Sequence, residues 1–251
     1  MSKGSAHEFF EFDEMSRVEI PVPPLAVQQK VVDVWRGLRK MKEENEALAA
    51  PLMQLCRSYL QDCKKKWPMR EIGPHLERTN DRNSNETIKS VRGMSTEKEF
   101  RIPQSRVDFE KLSNYKIVRK NDFVFVPTTD TWKCLAISLS HDEPFVVSPI
   151  YEVFRFHEDA GILPEYFHMW CKRKELDRYV RYNSWGSARE NFTWADMCRV
   201  KIPLPPIEVQ QAVVDVYRCA SEAKKIAEEA DRLSREICPA LVRWAAEGGT
   251  A

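Results

Sequence analysis

Two long stretches of the chain carry apolar residues in alternating steps of four and three. After Pro23-Pro24 they fall at Val27, Val31, Val34, Leu38, Met41, Leu48, Leu52, Leu55 and Tyr59, with polar Asn45 in the one missing place. After Pro205-Pro206 the same steps give Val209, Val213, Val216, Ala220, Ala223, Ala227, Ala230, Ser234, Ile237, Leu241 and Trp244. A repeat of this kind keeps one stripe on one side of a helix and marks the seam of a coiled coil. The pattern predicts helices over residues 25–62 and 207–244, each roughly 50 Å long at ~1.5 Å per residue. The Ala-rich stripe of the second suits close approach to the Leu/Met-rich stripe of the first, so an antiparallel pair is expected. Pro51 and Pro239 are expected to kink or interrupt the helices near their far ends.

Between them, from about Trp67 to Pro203, the texture changes. Lys116 to Thr129, Cys134 to Ser140 and Pro144 to Phe156 alternate or run β-branched and aromatic, with turn signals at Asn121-Asp122 and Pro149. Leu163 to Tyr182 returns to helical spacing. His75 to Arg106 is polar, lacks clean periodicity and reads mostly as loop. The fold class expected is α+β: one mixed domain flanked by two long helices packed as an antiparallel coiled coil.

The helices begin with the same words. "RVEIPVPPLAVQQKVVDV" (17–34) and "RVKIPLPPIEVQQAVVDV" (199–216) are identical at 13 of 18 positions, 182 apart. The match extends back, since "GSAHEFFEFDEM" (4–15) aligns at the same offset with "GSARENFTWADM" (186–197). The offset is a whole number of heptads, so the two helices share one phase. Taken singly, each stripe fits a helix of an ordinary core. The duplication of stripe, junction and phase is what makes a paired arrangement the better reading. A period this long with a unique middle is not a solenoid.

Composition narrows the class further. A chain of 251 residues at 43% hydrophobic is long enough for one substantial core or two smaller ones. Its net charge of +1 announces no nucleic-acid partner globally, so a basic surface must be local. Seven scattered cysteines suit buried thiols in a reducing cytosol better than a disulfide framework. No apolar leader and no run of 18 apolar residues is present, which points to a cytoplasmic, non-membrane protein.

Catalytic signatures are missing. There is no P-loop, no GxGxxG, no HExxH and no metal-spaced Cys/His cluster, and the Pro-Asp of common nucleases does not occur. "VPPL" and "LPPI" lack the Asn or Asp that an amino-methyltransferase places before Pro-Pro. No catalytic residue, metal or cofactor is expected.

Three polar loops offer the chemistry of nucleic-acid binding. Phosphates are met by Lys, Arg and hydroxyl donors, and base edges by Arg, Asn or Gln held in fixed geometry. The first loop carries Arg78, Asn80, Arg82, Asn83, Lys89 and Arg92. The second carries Thr128, Thr129, Thr131, Trp132 and Lys133. The third carries Lys172, Arg173, Lys174, Arg181, Asn183, Ser187 and Arg189. Any one of them alone also fits a solvated surface.

A mixed domain ending in "GSARENFTWADMCRVKIPLPPIEVQQAVVDVY", then a heptad helix, with the same junction repeated upstream, resembles the specificity (S) subunit of Type I restriction-modification systems. The resemblance runs from Gly4 to Trp244, although the usual Glu-Gln of that junction reads Val27-Gln28 and Val209-Gln210. It implies a non-catalytic subunit in which paired helices separate two target-recognition domains, each reading half of a bipartite site in double-stranded DNA. Its implied partners are adenine-methyltransferase (M) and ATP-dependent restriction (R) subunits. Exposed helix positions such as Arg39, Glu43, Lys224 and Glu228 are then expected to matter for docking M. Only one such domain is present. Residues 1–22 read as the closing edge of a missing one, 23–64 as the first helix, 65–204 as the target-recognition domain, 205–246 as the second helix and 247–251 as a tail. Phe9, Phe10, Phe12 and Met15 would be apolar groups in want of a surface, and a two-fold homodimer is one expected solution. The rival function is an assembly or inhibitory partner that binds a methyltransferase or intact S subunit without reading DNA.

Overall fold

A computed structural model of the chain describes residues 12–104, 106–129, 135–184 and 190–247, without the side chains of residues 13, 14 and 129. In chain order the elements are α1 (Phe12–Met15), α2 (Leu25–Lys66), β1 (Met69–Glu71), a 3-10 turn (Gly73–His75), β2 (Leu76–Thr79), β3 (Gly93–Met94), β4 (Phe100–Arg101), β5 (Lys116–Val118), β6 (Phe123–Phe125), β7 (Thr128–Thr129), β8 (Ile137–Leu139), β9 (Phe145–Val147), β10 (Glu152–Phe156), α3 (Pro164–Cys171), α4 (Lys174–Tyr182), β11 (Glu190–Asn191), α5 (Trp194–Cys198), β12 (Lys201–Pro203) and α6 (Ile207–Ala246). The fold is therefore α+β with a long helix on either side of the strands, as the periodicities predict. Among the described residues no helix is long and apolar enough to cross a membrane.

The chain divides into two compact units, residues 1–51 with 220–251, and residues 52–219. In the first, the upstream part of α2 meets the downstream part of α6. Lys42 Nζ lies 2.8 Å from Asp231 Oδ1, and Ala220, Ala223, Ala227 and Ala230 are buried, as is Ala49. Small side chains let two backbones approach closely, and the predicted Ala stripe is the seam on α6. The stripe predicted on α2 needs correction. Val34, Met41, Leu48 and Leu55 are 43%, 45%, 52% and 55% exposed, whereas Ala49, Cys56, Leu60 and Cys63 are buried. The seam keeps the Leu38, Asn45, Leu52 and Tyr59 row at its half-buried edge and is completed one residue further on. An α-helix has 3.6 residues per turn rather than 3.5. Two overlapping apolar stripes therefore lay within reach of the pattern, and the partner's small residues favour the narrower one. Pro51 and Pro239 lie inside α2 and α6 without interrupting either helix.

In the second unit, β2, β10, β6 and β8 form an antiparallel sheet in that order. Alternate residues of a strand face opposite sides, and here both sides are covered. Phe123, Phe125, Ile137, Leu139, Phe154 and Phe156 face a large core shared with α3 and with Cys56, Leu60 and Cys63 of α2 and Val213 and Val214 of α6. Val124 and Val153 face a smaller one with Met94, Val118, Phe145 and Val147. Phe123 and Phe154 stack at 5.1 Å and 11°. Cys56 Sγ lies 3.9 Å from the Val213 carbonyl; with Lys42 beside Asp231, rising numbers on α2 meet falling numbers on α6, as in an antiparallel pair. The predicted turn at Asn121-Asp122 is present. Asn121 adopts a φ of 68°, and Asp122 Oδ2 accepts the Arg119 amide at 2.8 Å. The stretch read as loop, 75–106, also contributes short strands, β2 to β4, whose partners lie far along the chain in β2's case.

The domain closes on itself through β1 and β12, which pair antiparallel with Arg70 opposite Ile202. Gly73 is required at this closure. A Cβ there would stand 2.7 Å from the Cys198 carbonyl oxygen and 2.8 Å from its Cβ.

Candidate nucleic-acid interface

The strongest clustering of the predicted side chains is around Arg78. On β2, Arg78 is bound at two points by Glu152 of neighbouring β10, Nη2 to Oε1 at 2.6 Å and Nε to Oε2 at 2.9 Å. Its guanidinium lies 5.8 Å over Trp194. The same carboxylate takes Lys116 Nζ at 3.4 Å, and that ammonium also donates to the Tyr151 carbonyl at 2.6 Å. Lys116 is buried, and burial pulls its pKa below the ordinary lysine value, with Glu152 opposing the fall and Arg82 and Arg78 adding to it. Arg82 bridges to Lys116 through the backbone and donates to the Asn114 carbonyl at 2.5 Å. One carboxylate thus serves two cations, Arg78 and Lys116, with Arg82 beside them, leaving a positive surplus beside exposed Asn80.

Two loops read separately in the sequence are joined here. Strand β7 pairs with β11, Thr129 opposite Glu190 and Thr128 opposite Asn191, with Thr128 Oγ1 donating to Asn191 Oδ1 at 3.3 Å. Phe192 and Trp194 follow directly, so this ribbon runs into the Arg78 cluster. Trp132, Lys133, Ser187 and Arg189, with the side chain of Thr129, lie outside the described residues. Asn183 turns inward instead, donating to the Tyr179 carbonyl at 2.8 Å to finish α4, while Arg181 is exposed.

The remaining candidates lie in two other places. Lys172 and Lys174 are exposed at the α3–α4 junction. Arg173 between them serves the core: it stacks over Trp170 at 4.7 Å, donates to Gln61 Oε1 of α2 at 2.8 Å and holds the Glu175 carboxyl down at about 2 by hydrogen bonding. Only 12% of its side chain is exposed, which makes it a brace. Asn83 is likewise a buried fastener, bonding the Ile88 carbonyl and amide at 2.9 and 3.2 Å. Lys89 is exposed beside Glu86 at 3.7 Å. Arg92 is tied to Asp142 and lies 4.4 Å over Phe145.

Arg92 also lines a cleft of about 260 Å³ with Arg101, Gln104, Tyr115, Ser148 and Tyr151. The sequence reading had no signal for Arg101, Gln104 or the Lys116–Glu152 pair, which only the strand pairings bring together. Among the described residues no group of three metal-ligating side chains is found.

No protein-family model matches the sequence, and neither does any curated protein. Solved structures do. The chain is similar to the Type I restriction-modification S subunit of M. genitalium at 12% identity and a TM-score of 0.52, over 88% of this chain and 59% of that one. It is also similar to the HsdS subunit of Thermoanaerobacter tengcongensis, at 15% identity, a TM-score of 0.45 and coverages of 99% and 65%. A third structure, of a type I R-M system studied for complex assembly and conformational transition, gives 14% identity, a TM-score of 0.43 and coverages of 90% and 60%. The chain spans less than two thirds of each of these. The chain has the fold of a Type I restriction-modification S subunit.

Proposed function

We propose that this chain is a DNA-sequence-recognition subunit of a Type I restriction-modification enzyme, non-catalytic in itself and working in the cytoplasm. Its mixed domain reads one half of a split site, and its helices dock M subunits, through which R subunits join. The observation that carries this reading is the S-subunit fold laid over 88% of the chain. The Arg78 cluster supports it with the chemistry a DNA face needs: surplus positive charge beside an exposed Asn80 and the hydroxyl and amide groups of the β7–β11 ribbon. In this reading Arg78, Asn80, Arg82, Lys89, Arg92, Lys172, Lys174 and Arg181 meet the duplex together with Thr129, Trp132, Lys133, Ser187 and Arg189. Arg173 supports them from behind.

The test is a gel shift of the chain with a cognate M subunit on a pool of random duplexes, followed by sequencing of the retained fraction. An enriched motif is the expected result. Retention without enrichment would leave an assembly role and remove the reading role.

A further inference from the structure

The cleft beside Arg92 brings together cationic, aromatic and hydrogen-bonding side chains. Arg92, Arg101, Gln104, Tyr115, Ser148 and Tyr151 line it, and among the described residues no acidic one does. Asp142 serves as counterion to Arg92 from outside the lining. The walls are held by backbone. Arg101 on β4 lies opposite Gly93 on β3, and a Cβ on Gly93 would stand 3.3 Å from the Pro103 Cα. Glycine thus lets the segment carrying Arg101 and Gln104 lie tight against β3. Another wall is a turn, in which the Tyr151 amide donates to the Ser148 carbonyl at 3.0 Å, with Pro149 in the first inner position that proline favours.

Both tyrosines join the cleft to the Arg78 cluster. The Tyr151 carbonyl accepts Lys116 Nζ at 2.6 Å, and the Tyr115 carbonyl accepts the amide of Asn83, next to Arg82, at 3.0 Å.

Size and chemistry select the ligand. Sites for drug-sized ligands run from about 300 to 1,000 Å³, so a cleft of about 260 Å³ admits a single ring-bearing unit. Guanidinium groups suit a phosphate, phenol rings offer a surface to a planar base, and a carboxamide with a hydroxyl can meet its polar edge. A fully paired duplex presents phosphates and base edges but keeps its base faces stacked. An unpaired nucleotide presents all three. The rim agrees with this. Ile102, between lining Arg101 and Pro103, is 86% exposed, and Ile150, between lining Ser148 and Tyr151, is 68% exposed. Apolar groups held out in this way can lean on the bases that flank an unpaired position.

We propose that this cleft is a binding site for one unpaired nucleotide, with the phosphate on Arg101 and Arg92 and the base against Tyr115 and Tyr151. The nucleotide is either free in solution or unpaired within a DNA strand. The strand-borne source rests on the DNA-recognition reading above, and the free one does not.

The test has two arms, each run on the full chain and on R101A/Q104A. Both substituted residues are exposed, so the variant is expected to melt with the parent; should it melt lower, Gln104→Ala alone carries the comparison. In the first arm, equilibrium dialysis measures the four deoxynucleoside 5′-monophosphates against their nucleosides and inorganic phosphate. At least one monophosphate is expected to bind about tenfold more tightly than either of its halves, and the variant to lose about tenfold of that affinity. In the second arm, a duplex with one unpaired nucleotide competes with the same duplex fully paired. A tenfold preference that the variant abolishes assigns the site to a strand-borne nucleotide, and monophosphate binding without that preference assigns it to a free one. If neither duplex binds while a monophosphate does, DNA recognition falls and the cleft stands. Failure of both arms overturns the proposal, as does binding that R101A/Q104A leaves unchanged, since the nucleotide would then lie elsewhere.

Discussion

Glu152 grips Arg78 at two points while holding Lys116 with the same carboxylate, so the exposed guanidinium is aimed before any ligand arrives. Arg78→Ala leaves Lys116 its partner, and the fold is expected to survive. If Arg78 meets a phosphate, the slope of log affinity against log salt falls by about 0.9. Titrating duplex at several salt concentrations reads the slope directly, and an unchanged value would make Arg78 a cross-strand brace only.

The α3–α4 junction separates charge from support within three residues. Arg173→Ala is expected to lower stability by about 1–3 kcal/mol, because Gln61, Glu175 and the face of Trp170 lose a buried partner. Lys172→Ala with Lys174→Ala should spare stability and weaken DNA binding. Urea melts and salt titrations of the two variants are expected to show opposite losses; loss of binding in Arg173→Ala at full stability would reverse the assignment.

His168 predicts the pH dependence. Burial, with the charges of Lys172, His141 and Lys98, pushes its pKa down from 6.5 to about 3. The folded chain keeps the ring neutral where the unfolded chain takes a proton, so its contribution is complete above pH 6.5 and is lost as the pH falls from there towards 3. Between pH 7 and pH 5 the loss is about 2 kcal/mol at ~1.4 kcal/mol per unit. His168→Phe should flatten that slope in chemical denaturation, and a slope that persists would assign it to another group.

The corrected seam on α2 separates neighbouring positions. Leu48→Gln is expected to change the stability of the chain by less than about 0.5 kcal/mol, as for an exposed site. Ala49→Gln, which forces a larger polar group into the seam, should cost about 1–3 kcal/mol. Equal effects would restore the stripe through Leu48.

The closure at Gly73 has no room. Gly73→Ala should cost about 1–3 kcal/mol because its new methyl meets backbone at Cys198, measured as a lowered denaturation midpoint with unchanged slope.

These cases also mark what the sequence made legible. The strands were readable because Phe123-Val124-Phe125 and the residues near Phe154 are apolar on both faces, and the helices because seven-residue spacing persists over 40 positions of α6. The choice between Leu48 and Ala49 was not, since both lie on one apolar arc and only the facing alanines decide. Nor were the roles of the basic residues. Arg173 and Lys172 look alike in a string of charges, and what divides them is Gln61, 112 positions away. The meeting of Thr128 with Asn191, 63 positions apart, is likewise a property of pairing that no local pattern carries.

The inward row on α2 has a chemical consequence. Cys56 and Cys63 of that row, with Cys171 of α3, are buried free thiols whose pKa values burial raises, whereas Cys219 is exposed on α6. A thiol reacts as its thiolate, so these three are shielded both by access and by their retained protons. A water-borne alkylating reagent would take Cys219 at once and these three only as fast as the surrounding chain opens. The protein therefore carries its own stopwatch: the lag before Cys56 and Cys63 are modified times the opening of the lower half of α2.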